Sequence, residues 1–293
     1  MKTNNNGQII QNKNGGYRRI TNTGSSTVLL VNCKFCGKQI FRNKCSLKKH
    51  EPFCSELCRS KNKEPRQYDI MSKINEPNFY YLIGLICTDG HISYPFATHS
   101  NKSNYYCDIK IHNQDQSLID NIFKYCGGIV RKEKNQICWR TSCKEFIQYL
   151  INIGLTNNKS LTLNVDKWFN NLKDEYKCAF IRGAIDGDGC ISNSVKSNSY
   201  GANICSASLS FITMIFKYFN NDSLKITERK PGGIFKHKNG IIIAKNSLYY
   251  IYIPRTKIIP LLHPIYKIDE NCLFLERKYN TYNDIVKLRQ KYN

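Results

Sequence analysis

Two apolar stretches of this chain end in the same acidic signature. Residues 82–90 read LIGLICTDG and residues 181–189 read IRGAIDGDG. Each pattern predicts a helix in which Gly84 or Gly183 leaves bare backbone on one face, with a second small residue four positions later. Small residues at this spacing let two helices approach backbone to backbone. The duplication therefore predicts two helices that pack on each other and form one centre from two halves of the chain.

The paired helices would bring two carboxylates, Asp89 and Asp188, side by side. Both would stand at helix C-termini, where the macrodipole is already negative, so the site is unfavourable until a divalent cation binds. Oxygen-only ligands suit Mg²⁺ rather than zinc. Gly90 and Gly189 follow the acids at the position where a left-handed glycine often ends a helix. Two unrelated buried helices that each end in Asp-Gly are the alternative, which the whole repeated signature disfavours.

The charge of the chain indicates a polyanionic partner. Its 293 residues include 44 Lys and Arg against 22 Asp and Glu, a formal charge of +22. Nucleic acid is the simplest such partner, because phosphate contacts supply affinity that does not depend on sequence. The alternative is basicity that serves solubility only.

The compartment is predicted from the cysteines and from the lack of apolar segments. No signal peptide opens the sequence and no apolar run approaches the length of a membrane span. We therefore expect no membrane partner and an intracellular protein, in the cytoplasm or an organelle matrix, that is not secreted. Its fourteen cysteines are then metal ligands and small buried hydrophobes rather than a disulfide framework.

An internal repeat extends beyond the two acidic motifs. Residues 121–125 (NIFKY) are echoed by residues 214–218 (MIFKY), and each copy leads into a turn and then a basic strand. Cys107, Ile109 and Ile111 alternate with polar residues, as a half-buried strand requires. In each half the predicted order is helix, two strands, helix, two strands, helix.

These residues resemble the LAGLIDADG homing endonuclease family, in its single-chain, two-repeat form. The resemblance covers about residue 78 to the C-terminus and includes, beyond the two motifs, the segments 154–160 and 275–279. It implies an α+β fold of two pseudo-symmetric αββαββα repeats whose sheets form a basic saddle over double-stranded DNA. It also implies a monomer that cuts both strands of DNA, leaving a staggered break, for the mobility of an intron or intein.

The resemblance further assigns roles at the centre. Asp89 and Asp188 would hold the catalytic Mg²⁺, and the backbone carbonyl before each acid, of Thr88 and of Gly187, would also face metal. A basic or amide side chain near each scissile phosphate is usual in the family, which carries over here to Arg140 and Asn113. Metal-bound water of lowered pKa would then hydrolyse the phosphodiester.

The exposed faces of the predicted strands supply candidates for contact with DNA, since the major groove accepts a two-stranded ribbon. A solvated sheet face with no partner is the alternative for each residue. A basic stretch around residues 231–233 predicts a hairpin, which would follow phosphates rather than read bases. The DNA-contact candidates are Lys110, His112, Gln136, Arg140, Arg131, Lys132, Lys159, Lys225, Arg229 and Lys230.

The chain divides by composition into four segments. Residues 1–27 predict a flexible tail, residues 28–66 a zinc-finger-like module with its linker, residues 67–168 the first repeat and residues 169–293 the second. The module holds two tight cysteine pairs, Cys33 with Cys36 and Cys54 with Cys58, separated by seventeen residues. Four thiolates in two such pairs predict a closed tetrahedral site for structural Zn²⁺.

Cys45 and His50 lie between the pairs and could each replace one ligand; four unligated cysteines are the remaining alternative. Gly37 follows the first pair, where a knuckle needs a tight turn. The basic residues around the cysteines indicate that this module adds phosphate contacts.

Three functions compete on this sequence. The first is a DNA endonuclease with a zinc module that extends its footprint. The second is a nucleic-acid-binding protein of the same fold that does not cut, such as an intron splicing cofactor or a transcription regulator. The retention of both Asp89 and Asp188 favours the enzyme, because a protein that only binds needs neither. A zinc-dependent redox or hydrolytic enzyme is disfavoured, because the cysteine pairs leave no open position on the metal.

Overall fold

The computed structural model describes residues 8–21, 23–48, 50–61, 69–93, 106–157, 159–194, 199–237 and 240–291. The chain divides into two compact units, Met1–Arg66 and Gln67–Asn293. Among the described helices, none combines the length and apolar character needed to cross a membrane.

The amino-terminal unit is an antiparallel meander with two short helices. Its strands, in the sheet order of the sequence, are β1 (Gln8–Gln11), β2 (Tyr17–Thr21), β3 (Gly24–Asn32) and β4 (Gln39–Asn43). Helices α1 (Lys44–Leu47) and α2 (Glu56–Lys61) follow.

The expectation of a flexible tail over residues 1–27 is corrected by these strands; residues 1–7 lie outside the described part. Tyr17 pairs with Val28 across β2 and β3, and its ring meets that of Phe41 at 5.0 Å between centroids. Val28 is fully buried. The few apolar side chains of the segment therefore suffice to order it, because the strand register gathers them on one face.

The carboxy-terminal unit contains two copies of one motif. The first consists of α3 (Pro77–Asp89), β5 (Gly90–Ser93), β6 (Tyr106–His112), α4 (Gln116–Cys126), β7 (Ile129–Lys132), β8 (Gln136–Thr141) and α5 (Lys144–Asn152). Two short helices, α6 (Lys159–Thr162) and α7 (Asp166–Asn170), connect it to the second copy. The expected boundary between the repeats, after Trp168, falls inside α7.

The second copy repeats this order with one insertion. It consists of α8 (Asp174–Asp188), β9 (Cys190–Ser194), β10 (Ser199–Ser206), α9 (Leu209–Phe219), β11 (Ile226–Arg229), the hairpin β12 (Ile234–His237) and β13 (Gly240–Ile243), β14 (Leu248–Ile253) and α10 (Ile258–Tyr266). A final helix, α11 (Glu276–Lys291), ends the described chain. The αββαββα order predicted from the sequence is confirmed, and the hairpin predicted around residues 231–233 is the insertion.

The two four-stranded sheets match strand for strand. Their orders are β5-β6-β8-β7 in the first copy and β9-β10-β14-β11 in the second. The inner face of each sheet packs on helices: Cys107, Ile109 and Ile111 of β6 are buried, as are Ile251 and Ile253 of β14. The opposite face of each sheet carries exposed side chains such as Lys110 and Tyr252.

The echoed segments occupy equivalent helices, α4 and α9. Each helix ends at a residue with positive φ, Gly127 at 71° and Asn220 at 40°. This left-handed step turns the chain back into the sheet, where glycine and asparagine are the residues best able to adopt it.

Candidate active site at the paired helix ends

Helices α3 and α8 pack on each other through bare backbone. A Cβ on Gly84 would overlap the Phe180 carbonyl oxygen, and a Cβ on Gly183 would overlap the Tyr81 carbonyl oxygen. The same hypothetical atom on Gly183 would stand 2.8 Å from the Leu85 nitrogen. Only glycine fits at these two positions, so the structure places both glycines in the contact between the helices.

The contact continues to the ends of the helices, where the two acids lie. A Cβ on Gly187 would be 2.7 Å from the Thr88 Cβ and 3.4 Å from Asp89 Oδ2. The Asp89 carboxylate therefore lies beside the residue that precedes Asp188. The structure thus brings together the two carboxylates that the sequence assigned to one centre.

Both carboxyl groups have raised pKa values. Burial, and then the negative charge of Asp188, raise the pKa of Asp89 to about 6. Burial among protein atoms also raises the pKa of Asp188, although its side chain reaches solvent. Among the residues that the structure describes, none forms a hydrogen bond or an ion pair with either carboxylate group. Two crowded acids without a partner are suited to bind a cation.

Gly90 and Gly189 do not adopt the left-handed conformation that the sequence analysis expected. Their φ angles are −84° and −80°, in the extended region, because each helix passes directly into a strand. Glycine is required for space instead. A Cβ on Gly90 would stand 2.6 Å from the Ile86 Cα, and one on Gly189 would stand 2.6 Å from the Ile185 carbonyl oxygen.

A buried lysine caps the C-terminus of each of the two helices. Lys159 Nζ donates to the carbonyl oxygens of Cys87 at 2.8 Å and Thr88 at 2.9 Å. Lys278 Nζ lies at 2.6–2.9 Å from four carbonyl oxygens, those of Ile185, Asp186, Gly187 and Gly189. A cation at a helix C-terminus offsets the negative end of the macrodipole.

These lysines differ from the expectation in two respects. Lys159, which the sequence suggested as a surface contact to DNA, is 6% exposed. Lys278 was missed as a site residue, although it lies in segment 275–279 that supported the family resemblance. Burial lowers the pKa of both ammonium groups, and their positive charges act to lower the pKa values of Asp89 and Asp188. A lysine in each copy at the same point of the repeat was the signal available in the sequence.

The carbonyls assigned to metal, Thr88 O and Gly187 O, each accept one of these lysine hydrogen bonds, at 2.9 Å. A carbonyl oxygen has two lone pairs, so each of them keeps one acceptor position.

The two helix ends differ at the second residue before each acid. Asp186 is buried and accepts hydrogen bonds from Tyr81 Oη at 2.9 Å, Tyr266 Oη at 2.8 Å and the Leu275 nitrogen at 2.7 Å. The corresponding residue of the first copy is Cys87, a buried thiol. Asp186 therefore ties α8 to α3, to α10 and to the segment before α11, whereas among the described residues no such set of hydrogen bonds reaches the Cys87 side chain.

Arg140 and Asn113, assigned to catalysis from the resemblance, lie in the sheet and at its edge. The Arg140 guanidinium is ion-paired with the buried Asp108 and stacks 4.1 Å above the Tyr106 ring. Asn113 Nδ2 donates to the Lys134 carbonyl at 3.3 Å. The cations whose charges lower the Asp89 pKa are instead Lys278, Lys159 and Arg277.

Arg277 is a second residue that the sequence analysis missed. Its Nε donates to both carboxylate oxygens of Asp115, at 3.0 and 3.1 Å, and its side chain is half exposed. Because Asp115 precedes α4, this pair fastens α11 to the first copy of the motif.

The other candidates for DNA contact are exposed at the sheets. Lys110 Nζ donates to Glu133 Oε1 at 2.9 Å, and His112 Nδ1 accepts from the Gln114 nitrogen at 3.3 Å. Gln136 pairs with His112 across β6 and β8. The remaining exposed candidates are Arg131 and Lys132 on β7, Lys225 before β11, Arg229 at its end and Lys230 after it.

The four predicted zinc ligands form a cluster in the amino-terminal unit. The sulfur atoms of Cys33, Cys36, Cys54 and Cys58 all lie within 4.8 Å of one another. In the described residues the cluster includes neither Cys45 nor His50, the alternative ligands.

Backbone hydrogen bonds favour the thiolate form of Cys33, whereas the hydrogen bond with Cys58 raises the pKa of Cys54. Hydrogen bonding by the Cys36 backbone makes the largest contribution to lowering the pKa of Cys33, to about 6. The Cys54 nitrogen lies 3.3 Å from the Cys33 sulfur. Gly37 has a φ of 72° and donates to the Cys33 carbonyl at 2.9 Å, which closes the expected turn.

Comparison with known proteins gave matches among solved structures. The chain matches no protein-family model and no curated protein. It is similar to I-DmoI in complex with DNA and calcium, at 18% identity over 70% of this chain and 96% of that one, with a TM-score of 0.44. It is also similar to I-SmaMI bound to an uncleaved DNA target with calcium ions, at 16% identity over 74% and 92% of the two chains, with a TM-score of 0.45. A further structure, of variants of the homing endonuclease I-DmoI, shares 20% identity over 64% and 93%, with a TM-score of 0.41.

Proposed function

We propose that this chain is a Mg²⁺-dependent DNA endonuclease of the LAGLIDADG homing type, which acts as a monomer and cuts both strands with a stagger. One observation carries the proposal. Asp89 and Asp188 meet at the seam of two packed helices, have raised pKa values and have no partner among the described residues.

The donor set at the seam fits a hard divalent cation. The carboxylates of Asp89 and Asp188 would hold it, with the free lone pairs of Thr88 O and Gly187 O beside them. Bound there, Mg²⁺ would supply Lewis-acid stabilisation of charge on the phosphate and lower the pKa of water. Burial and, at Asp89, the charge of Asp188 disfavour the ionised carboxylates, and positive charge that enters the site would offset both effects.

The lysines keep the acids in place and shape the charge around them. By holding the last carbonyls of α3 and α8, Lys159 and Lys278 fix the direction in which each helix delivers its acid. Their buried positive charge would also attract a scissile phosphate toward the seam.

Two acids related by the repeat would serve one strand each. Because both copies of the motif belong to one chain, the site is complete without a second subunit, which supports the monomer. The two sheets offer matching outer faces to the two halves of a DNA duplex, and the net charge of +22 supports affinity for its phosphates.

The amino-terminal unit would bind one Zn²⁺ through Cys33, Cys36, Cys54 and Cys58. Two close cysteine pairs with mutually close sulfur atoms match a closed structural site. The cysteines also lie among basic residues such as Lys38 and Arg42, so the unit would add phosphate contacts to those of the sheets. Mobility of an intron or intein is the biological role that a single-chain homing enzyme would serve.

Incubation of the full chain with a randomised duplex library and Mg²⁺ tests the proposal. Sequencing of the cut ends would show double-strand cleavage, the stagger and the recognition site. Asp89→Asn and Asp188→Asn should each abolish double-strand cutting while DNA binding survives. Asp174→Asn, at the opposite end of α8 and 96% exposed, is the matched control and should cut normally.

Cutting by either purified acid variant would refute the assignment of the two acids. Tight DNA binding by the wild-type chain without any cutting would support the non-cleaving alternative instead.

A further inference from the structure

The outer faces of the two sheets differ in chemistry at equivalent positions beside the acids. In the first copy His91 pairs with Asp108, and Asp108 pairs with Arg140. We name these three residues the first row. His91 follows Asp89 by two positions, so the first row begins in β5 directly after the helix that ends in that acid.

The same construction in the second copy defines the second row. Cys190 pairs with Asn203, and Asn203 pairs with Tyr252. Cys190 follows Asp188 by two positions, as His91 follows Asp89. The strand registers therefore make Asp108 equivalent to Asn203, and Arg140 equivalent to Tyr252.

The first row presents one fixed cation. Asp108 is 3% exposed and ion-paired with Arg140, while Tyr106 lies 4.1 Å below the guanidinium. His91 Nδ1 lies 3.7 Å from the other carboxylate oxygen of Asp108. Arg140 remains 25% exposed in its side chain, and the ion pair and the ring hold its guanidinium in a preorganised position, with Nε buried and without a partner among the described residues.

The second row carries no formal charge. Tyr252 is 54% exposed and lies across Gly201, where a Cβ would stand 2.8 Å from its hydroxyl oxygen. Asn203, which lies between Cys190 and Tyr252 in the second row, is half-buried. The surface at this point is an aromatic ring with an amide beside it.

We infer that the first row specifies a G·C pair and the second row an A·T pair at the symmetry-related position of the target, an inference that rests on the proposed endonuclease function. A guanidinium fork matches the O6 and N7 acceptors of guanine, whereas an amide matches N6 and N7 of adenine and an apolar ring surface contacts the thymine methyl. The target is therefore asymmetric at this pair of positions.

Selection of bound duplexes from a randomised pool, with the full chain in EDTA, tests this inference. The wild-type chain should select a G·C pair at one position and an A·T pair at its mirror position. Arg140→Ala should lower affinity for the preferred duplex roughly 10- to 100-fold and remove selection at that one position. Selection at all other positions should be unchanged.

Arg140→Ala leaves the buried Asp108 without its cation, and a variant of this kind can fail to fold. Two double variants that exchange residues between the rows test the inference without this difficulty. The pair Asp108→Asn with Arg140→Tyr should select A·T at both mirror positions. The reciprocal pair Asn203→Asp with Tyr252→Arg should select G·C at both.

Three outcomes would overturn the inference. If Arg140→Ala weakens all duplexes equally and lowers the slope of log affinity against log salt by about 1, Arg140 contacts phosphate instead. If the exchanged rows leave the selected bases unchanged, other residues specify those positions. A chain that selects no duplex refutes the inference whether or not it cuts the library in Mg²⁺, and that cleavage result decides the proposed function separately.

Discussion

The backbone of Gly183 lies so close to that of Tyr81 that a Cβ on the glycine would stand 3.0 Å from the tyrosine carbonyl carbon and overlap its oxygen. A Cβ on Gly84, in the facing helix, would likewise overlap the Phe180 carbonyl oxygen. At these two positions the helices meet without side chains between them, and this close packing brings the acids at the helix ends near each other.

Gly183→Ala should destabilise the chain by about 3 kcal/mol or more, because backbone atoms cannot yield to the added methyl group as a flexible side chain would. Urea denaturation measures the change. Glu175→Ala, exposed in the first turn of the same helix, is the control and should stay within about 0.5 kcal/mol of the wild type. Equal stability of the two variants would show that the helices can separate at little cost.

Asp89→Asn should stabilise the chain at neutral pH in the absence of divalent cations. The folded pKa of about 6 exceeds the ordinary value of 3.8, so the contribution of this group to stability is complete below about pH 4 and is lost as pH rises through 6. Removal of the charge should therefore gain about 1 to 3 kcal/mol near pH 7.5 and almost nothing near pH 4.

Urea titrations in EDTA at the two pH values measure this difference. Asp174→Asn, remote from the seam, is the control variant at both pH values. A gain from Asp89→Asn of the same size at both pH values would contradict the raised pKa.

Lys278→Met should cost more stability than Lys159→Met. The first removes the donor to four carbonyl oxygens and a positive charge that acts on the buried Asp186, while the second removes the donor to two. Each buried acceptor left without a donor costs about 1 to 3 kcal/mol, reduced where water enters. Denaturation and amide exchange at the end of α8 measure the effect; equal losses would mean that the extra carbonyl contacts add nothing.

Elemental analysis of the purified chain should find one zinc ion per molecule. Cys54→Ser should lose that ion, because its sulfur lies 3.5 Å from that of Cys36 and 3.2 Å from that of Cys58. Cys45→Ser should retain it and serves as the control. Proteolysis within residues 1–66 should accelerate when the ion is removed, since a short unit without a large core depends on its metal. Retention of zinc by Cys54→Ser would exclude the four-cysteine site.

Affinity for duplex DNA should fall steeply with salt. If six or more phosphates are contacted, the loss between about 50 and 200 mM salt is on the order of 10³-fold. Binding measured across that range gives the number of contacts from the slope. A flat profile would contradict a sheet surface that follows the phosphate backbone.

Much of the fold could be predicted from the sequence because the chain contains two copies of the same motif. The repeated glycine and acid positions fix how α3 and α8 meet, and the alternation in β6 fixes which face of the sheet is core. Residues 8–27 could not be predicted in this way, because their order comes from strand pairing along the meander β1-β2-β3 rather than from local composition.

The site was predictable where its residues are adjacent in the chain and less so where they are not. Asp89 and Asp188 end their own motifs, whereas Lys278 reaches the end of α8 from a helix that begins eighty-eight positions after Asp188. The conformation of Gly90 was mistaken because a helix that ends at once in a strand has no room for a left-handed residue. The ion pair of Arg140 with Asp108 could not be predicted, because the strand register that brings them together cannot be read from the sequence.

The contact between each glycine and the facing helix backbone also makes two properties of the proposed endonuclease independent, the length of the overhang and the target sequence. The distance between the acids is set where α3 touches α8, while the residues proposed to contact DNA project from the two sheets. Redesign of those sheets for a new target should therefore leave the length of the overhang as it is. Changes at Gly84 or Gly183, by contrast, should alter the overhang for every target alike.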